Sequence, residues 1–313
     1  LLDHCEVTDH FEFEDGKLSL VGITIDDDSL LINRSIAQTS KNIDSLVFRP
    51  IAMLRGQSTL LPRPDTIFRR KDHVYFITPN KELDALMHAL GKKPVQVKNV
   101  MIVGGTAMGL YTARALEHIY NVKLIEKDRK RCKELNEKLD KTLVIKGDAS
   151  NVELLKEEGL ESMDAFIALT SNSETNIITS LFAEEGGVAK TIALVDNTDY
   201  THISMNIGID TLINKKLIAA NNIFRFVRKG KIEAITGIHG VNAEIIEFVV
   251  HKSNKLTRKP LKTLRFPSNS VIGMVIRGDE NIIPSGEFIF KVGDKAIIFA
   301  LPNAINKIEA LFR

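Results

Sequence analysis

Three glycines, a threonine and an acid within one thirty-residue stretch make the first chemical statement in this sequence. In VKNVMIVGGTAMGLYTARALEHIYNVKLIE, residues 97–126, an apolar run at Val100, Ile102 and Val103 precedes Gly104, Gly105 and Gly109. Met108, Tyr111, Ala115 and Ile119 then recur at helical spacing. Glycine lets the backbone turn tightly and approach a pyrophosphate, whose charge is held by unpaired N–H groups at the positive end of the following helix. Glu126 lies 22 residues beyond Gly104, close to the roughly 20 expected of an acid that accepts hydrogen bonds from a ribose. The expected phosphate cradle is therefore Gly104, Gly105, Thr106, Ala107, Met108 and Gly109, with Glu126 as ribose acceptor. The middle glycine of a G-x-G-x-x-G frame is replaced by Thr106, so the backbone there must accommodate a Cβ. The competing reading is a doubly wound domain with an empty site.

Further candidates follow other strands, because ligands of such sheets bind outside the carboxyl ends of the strands. After the third strand, Gly147, Asp148 and Ala149 can meet an adenine edge; alternatively Asp148 caps the next helix. After the fourth strand stand Thr170, Ser171 and Asn172, with Ser173 expected to cap a helix starting at Glu174. Lys127 and Arg129 open a basic run with Lys130, Arg131 and Lys133. Such a run is ordinarily a solvated helix face, and Arg129, nearest the sheet edge, is the residue expected to meet phosphate. Catalytic signals are sparse. The eight histidines, at 4, 10, 73, 88, 118, 202, 239 and 251, have no carboxylate at recognisable spacing, and His4, Cys5 and His10 form only a fragment of a ligand set. Neither a Walker loop nor a G-x-S-x-G elbow occurs. These observations favour a binding protein over the alternative, an NAD-dependent oxidoreductase with an unrecognised catalytic residue.

The elements that must position these residues alternate from residue 98 to 230, with strands at Val100–Val103, Val122–Glu126, Leu143–Ile145, Ala165–Leu169, Thr191–Val195 and Thr211–Ile213. Six strands separated by helical patterns predict an α/β, Rossmann-like, doubly wound parallel sheet. On either side the sequence turns to short alternating strands, and those flanks repeat. Arg55-Gly56, Pro62, Ile67-Phe68 and Asp72 recur as Arg277-Gly278, Pro284, Ile289-Phe290 and Asp294 at a constant separation of 222 residues. Leu31 and Ile36 recur as Leu256 and Leu261 at 225. The expected organisation is two copies of a small α+β module, residues 1–92 and 231–313, flanking a nucleotide-binding domain at 97–230, with flexible boundaries at Gly91 and Gly230. A length of 313 residues accommodates this; a net charge of +2 gives no global pull on nucleic acid, and two cysteines cannot form a disulfide framework. No apolar run approaches a membrane span and no signal pattern opens the chain, which reads as cytoplasmic. The chain starts at Leu1 inside what reads as structured sequence, as an excised fragment would.

Taken together, IVGGTAMG, VKLIEKDRKRCKEL, VIKGDASN, DAFIALTSNSETNI and LIAANNIFRFVRKG resemble the regulatory subunits of Trk/Ktr potassium uptake systems, built from domains that regulate potassium conductance (RCK domains). The resemblance spans essentially the whole chain. It implies the later part of a tandem protein: the C-terminal module of a first unit, then the nucleotide-binding domain and C-terminal module of a second. It further implies a non-catalytic subunit that binds NAD(H) or ATP/ADP. Such a subunit forms a ring in the complete protein and docks on the cytosolic face of a membrane potassium channel or transporter. For this fragment a dimer is expected through the helix carrying Leu217, Ala220, Ile223, Phe224 and Val227.

Overall fold

The computed structural model describes residues 2, 7–13, 16–27, 29–42, 46–56, 58–92, 95–197, 200, 209–227, 235–237 and 243–312. The first module contains β1 (Asp9–Phe13), β2 (Leu18–Thr24), α1 (Ile36–Asn42), β3 (Arg49–Arg55), β4 (Ser58–Leu60), β5 (His73–Pro79) and α2 (Leu83–Ala89). The central domain follows with β6 (Asn99–Val103), α3 (Ala107–Leu116), β7 (Asn121–Glu126), α4 (Arg129–Lys138), β8 (Leu143–Lys146), α5 (Val152–Glu157), β9 (Ala165–Ala168), α6 (Ser173–Glu185), β10 (Lys190–Leu194), β11 (Thr211–Ile213) and α7 (Lys215–Val227). The second module contains β12 (Ile235–Gly237), β13 (Glu244–Val249), β14 (Ser270–Arg277), β15 (Glu280–Ile282), β16 (Lys295–Ala300) and α8 (Pro302–Phe312). The chain divides into two compact units, residues 1–8 with 94–218, and residues 9–93 with 219–313. Of the two expected boundaries, Gly91 takes a φ of +83°, and Gly230 lies outside the described residues.

The first unit is a six-stranded sheet of order β11-β10-β9-β6-β7-β8, parallel throughout. This is the doubly wound order, with β6 and β9 adjacent at the switch point. Both faces are covered, which is why the strands read as near-continuous apolar runs. Val100 and Ile102 pack with Leu110 and Ala113 of α3 and Leu135 of α4; Met101 and Val103 pack on the other side with Leu155 of α5 and Ala183 of α6. One expectation fails here. The stripe through Tyr111 and Ile119 does not face the core: Tyr111 is 68% and Ile119 72% exposed, and α3 instead buries Gly109, Leu110 and Ala113. The rotation of this helix is set by Gly109, whose absent Cβ would stand 2.0 Å from the Gly104 carbonyl oxygen.

The second unit is built from the repeat. Its two antiparallel sheets have matching orders, β1-β2-β5-β3-β4 and β12-β13-β16-β14-β15. They share one core, in which Leu20, Ile51, Leu54, Tyr75 and Ile77 meet Ile245, Met274, Ile276, Ile297 and Phe299. The outer face of the second sheet is closed by Ile305, Ile308 and Phe312 of α8. The correspondence extends to single hydrogen bonds. Arg55 forks onto Asp72 at 2.8 and 2.7 Å and donates to the Ile67 carbonyl; Arg277 forks onto Asp294 at 2.8 and 2.7 Å and donates to the Ile289 carbonyl. Each carboxylate, 1% exposed, also accepts a backbone N–H, from Arg69 or from Lys291, at 2.7 Å. The fork holds each guanidinium above its usual pKa, mainly through the hydrogen bond to its aspartate.

Removing either aspartate leaves a guanidinium, a backbone N–H and a turn without their common acceptor. Asp72→Ala and Asp294→Ala should each destabilise the second unit by about 3 kcal/mol, read as a lower urea midpoint. If either loss stays below about 0.5 kcal/mol, the range of ordinary surface substitutions, the clasp is not structural.

Candidate functional site

Four neighbouring strand ends, those of β6, β7, β8 and β9, surround a cavity of about 340 Å³. Its lining includes Gly104, Thr106, Glu126, Lys127, Gly147, Asp148, Ala149, Thr170, Ser171 and Asn172, together with Ile125, Ser150 and Thr175. The size lies within the range of ligand pockets, about 300–1,000 Å³. Five residues chosen from the sequence are outside this lining. Gly105 and Gly109 are buried, Met108 packs on the apolar cluster beneath the sheet, Ala107 is exposed at the start of α3, and Arg129 is exposed at the start of α4.

The loop after β6 is held from several directions. Gly104 adopts a φ of +100°, and a Cβ there would stand 2.6 Å from the Thr170 nitrogen, so both conformation and space require glycine. Thr106, in the place of the missing glycine, has φ −62° and ψ 176° and is the N-cap of α3. Its hydroxyl accepts the Gly109 N–H at 3.2 Å and donates to the Leu169 carbonyl at 3.0 Å. A side chain here therefore closes the loop against β9. Among the described residues, the N–H groups of Thr106, Ala107 and Met108 have no partner in the chain. Three unpaired N–H groups at a helix N-terminus are the physical requirement for an anion.

Glu126 is pinned rather than free. Its Oε2 accepts the Gly105 N–H at 2.7 Å and its Oε1 the Asp128 N–H at 2.7 Å. Each carboxylate oxygen keeps a further lone pair, so the acid remains able to accept from a sugar hydroxyl. Of the basic run, Arg131 is the residue that reaches the loop: its Nε donates to the Gly105 carbonyl at 2.7 Å, and its Nη1 pairs with Glu134 at 2.7 Å. Asp148 does not cap a helix. Its Oδ1 accepts the Ser150 N–H at 2.9 Å and hydroxyl at 2.7 Å, bonds that with the charge of Lys127 lower its pKa, and the cap of α5 is Asn151. Similarly, α6 begins at Ser173 and its cap is Asn172, which accepts the Thr175 N–H at 2.6 Å, so the expected Ser173 cap is corrected by one residue.

The sequence reading missed Asn176. This side chain, 1% exposed, accepts the Thr170 N–H at 3.0 Å and hydroxyl at 2.6 Å, and donates to the carbonyls of Thr170 at 3.0 Å and Leu194 at 2.8 Å. It ties the cavity-lining loop after β9 to the end of β10. Glu117, His118 and Asp140 bring one ligand atom each within 4.8 Å of one another, but Glu117 Oε2 already accepts the N–H groups of Asp140, Lys141 and Thr142 and the Thr142 hydroxyl. This carboxylate is a peg for the α4–β8 loop. His4, Cys5, His202 and His239 lie outside the described residues.

A doubly wound sheet with a capped glycine turn, unpaired helix N–H groups and an acid at the end of the next strand defines a Rossmann-type nucleotide-binding domain. The comparisons with known proteins agree. The TrkA-N domain model matches residues 100–215 and the TrkA-C domain model matches residues 20–91 and 245–313. The chain is 32% identical over 303 residues to the Trk system potassium uptake protein TrkA homolog 2 of Methanosarcina mazei, covering 96% of this chain and 67% of that protein. It is 31% identical over 317 residues to the Trk system potassium uptake protein TrkA of Halomonas elongata, covering 100% and 69%. The chain therefore belongs to the TrkA family, and it spans about two thirds of the length of these relatives. Among solved structures, the GsuK RCK domain matches at a TM-score of 0.54 and 15% identity, over 99% of this chain and 68% of that one. The GsuK channel bound to NAD matches at 0.53 and 15%, over 99% and 56%. At that identity the likeness establishes the fold.

Asn176 supplies a test of the site's construction. Asn176→Ala removes the partner of the Thr170 N–H and of the carbonyls of Thr170 and Leu194, while the Thr170 hydroxyl keeps the Asn172 carbonyl at 3.1 Å, and should cost the first unit about 2–4 kcal/mol. Faster hydrogen exchange at the Thr170 amide should accompany the loss, and unaltered protection of that amide would show that the loop is held by something else.

Proposed function

We propose that this chain is the nucleotide-sensing part of a cytoplasmic regulatory subunit that gates a membrane potassium uptake channel or transporter. The observation that carries this reading is a cleft lined both by Thr106, whose N–H is the first of the three unpaired groups at the start of α3, and by the pinned carboxylate of Glu126. A diphosphate suits the first and a ribose the second. NAD(H) is the preferred ligand, because a carboxylate repels the extra phosphate of NADP; ATP and ADP share the adenosine half and compete for the same groups. The named function of the relatives, potassium uptake, supplies the system that is regulated. No described helix is long and apolar enough to cross a membrane; the proposed action at the membrane is through a partner.

The role assigned is binding, not turnover. A ligand shifts a conformational balance only by binding the states unequally. In a homo-oligomeric ring, small changes in each nucleotide domain sum into a pull on an attached pore. Helix α7 is the proposed contact between copies: Ile218 is 43% and Ile223 63% exposed, while the side chains of Phe224 and Val227 lie outside the described residues.

Calorimetry should find one nucleotide per chain. Glu126→Gln should weaken it by about 1–3 kcal/mol, and Gly109→Val should abolish binding by driving the Gly104 carbonyl aside. In reconstituted transporter with the complete regulator, nucleotides of different charge should change potassium flux unequally. Flux indifferent both to nucleotides and to Gly109→Val would overturn the gating role.

A further inference from the structure

The repeat of the second unit is broken at the point where its two copies touch. With Arg55 equivalent to Arg277 and Asp72 to Asp294, Ile51 of β3 is equivalent to Gly273 of β14, and Arg49 to Val271. The strands support this register independently: a bulge falls between Pro50 and Ala52 in one and between Ile272 and Met274 in the other. A Cβ added to Gly273 would lie 3.0 Å from Ile51 Cγ2 and 3.2 Å from Ile77 Cγ2. Equivalent residues of two copies touch each other only on the axis that relates the copies, so Ile51 and Gly273 sit on the pseudo-two-fold axis of the module pair.

A large side chain facing none is a fit that no like-with-like pair reproduces. Two first modules would set Ile51 against Ile51 and overfill the centre; two second modules would set Gly273 against Gly273 and leave a void. Arg49 adds a direction. Its Nη1 donates to the carbonyls of Ile272 at 3.0 Å and Pro284 at 3.3 Å, both in the second module, and Val271 at the equivalent position has no donor to return. A pair of second modules would leave those carbonyls without this donor. A pair of first modules would bury two guanidiniums of a kind whose pKa burial already lowers.

We infer that the crossing of β3 and β14 is a pairing-specificity device, which accepts the first module against the second and rejects like against like. The partner that fits the inner face of either module is the other module, so copies of the chain assemble through other surfaces.

Two measurements on the full chain test this. In a thermal-unfolding cycle, Gly273→Ile and Ile51→Gly should each lower the midpoint of the second unit by about 3–10 °C, and the swap carrying both should regain at least half of the combined loss. Should Gly273→Ile not fold, Gly273→Ala with Ile51→Ala completes the same cycle. Additive losses overturn the inference. The second measurement is oxidative cross-linking with Cys5 and Cys132 replaced by serine. Because a Cβ at 273 lies 3.0 Å from the Ile51 Cγ2 position, where a sulfur would sit, Ile51→Cys with Gly273→Cys should close a bond within one chain. Ile51→Cys alone should give no linked dimer. A dimer linked through residue 51 in appreciable yield would show like-with-like pairing and overturn the inference.

Discussion

Gly104 has no room for a side chain, and most of the cleft follows from that. Its backbone lies against Thr170, close enough that a Cβ would stand 2.6 Å from the Thr170 nitrogen. The loops of two adjacent strands are thus packed on each other rather than side by side in solvent. Thr106 closes the seam by donating to the Leu169 carbonyl, and Gly109 presses the helix onto the Gly104 carbonyl. The three N–H groups left unpaired at the start of α3 are consequences of this compaction. A helix rotated or withdrawn by a side chain at 109 would no longer aim them at the same place.

The second unit answers a different constraint. A module of some eighty residues has little interior of its own, and an antiparallel sheet covered on one face leaves the other apolar face in need of cover. The two modules solve this by sharing a core, with Tyr75 and Ile77 packed among Ile297 and Phe299. The buried aspartates serve the periphery instead. Each gathers one arginine and one backbone N–H into a single turn.

What was legible in the sequence was whatever depends on spacing along the chain. The glycine turn, the acid after β7, the six parallel strands and the paired repeats all have that character, and the repeat proved to extend to individual bonds such as Arg55 to Asp72 and Arg277 to Asp294. What was not legible depends on contacts made across the fold. The phase of α3 follows from Gly109 meeting Gly104, so the apolar Tyr111 and Ile119 were a false stripe. Choosing between Asn172 and Ser173 as a cap requires knowing where the helix begins to within one residue, and adjacent cap formers give no preference. Arg131 rather than Arg129 reaches the loop because of its rotation on α4. Asn176 reads as an ordinary polar residue inside a helix, and only the packed structure shows its amide facing two strand ends.

These contacts also define a continuous path inside the first unit. Asn176 bonds Thr170 at the cleft and Leu194 at the end of β10; β10 pairs with β11. After β11, Asn214 accepts the N–H groups of Lys216 and Leu217 at 3.0 and 3.1 Å and so starts α7. The helix proposed to join copies of the chain is therefore reached from the cleft through hydrogen bonds and one strand pair. Such a path is a condition for coupling and not its source, since contiguity alone carries no energy. The energy has to come from a ligand that meets one setting of Thr170 better than another. Because Asn176 satisfies both the amide and the carbonyl of Thr170, a shift of that residue must either carry Asn176 along or break buried bonds, at a cost of about 1–3 kcal/mol for each group left unpaired. That cost makes movement of Asn176 with the loop cheaper than movement of the loop alone.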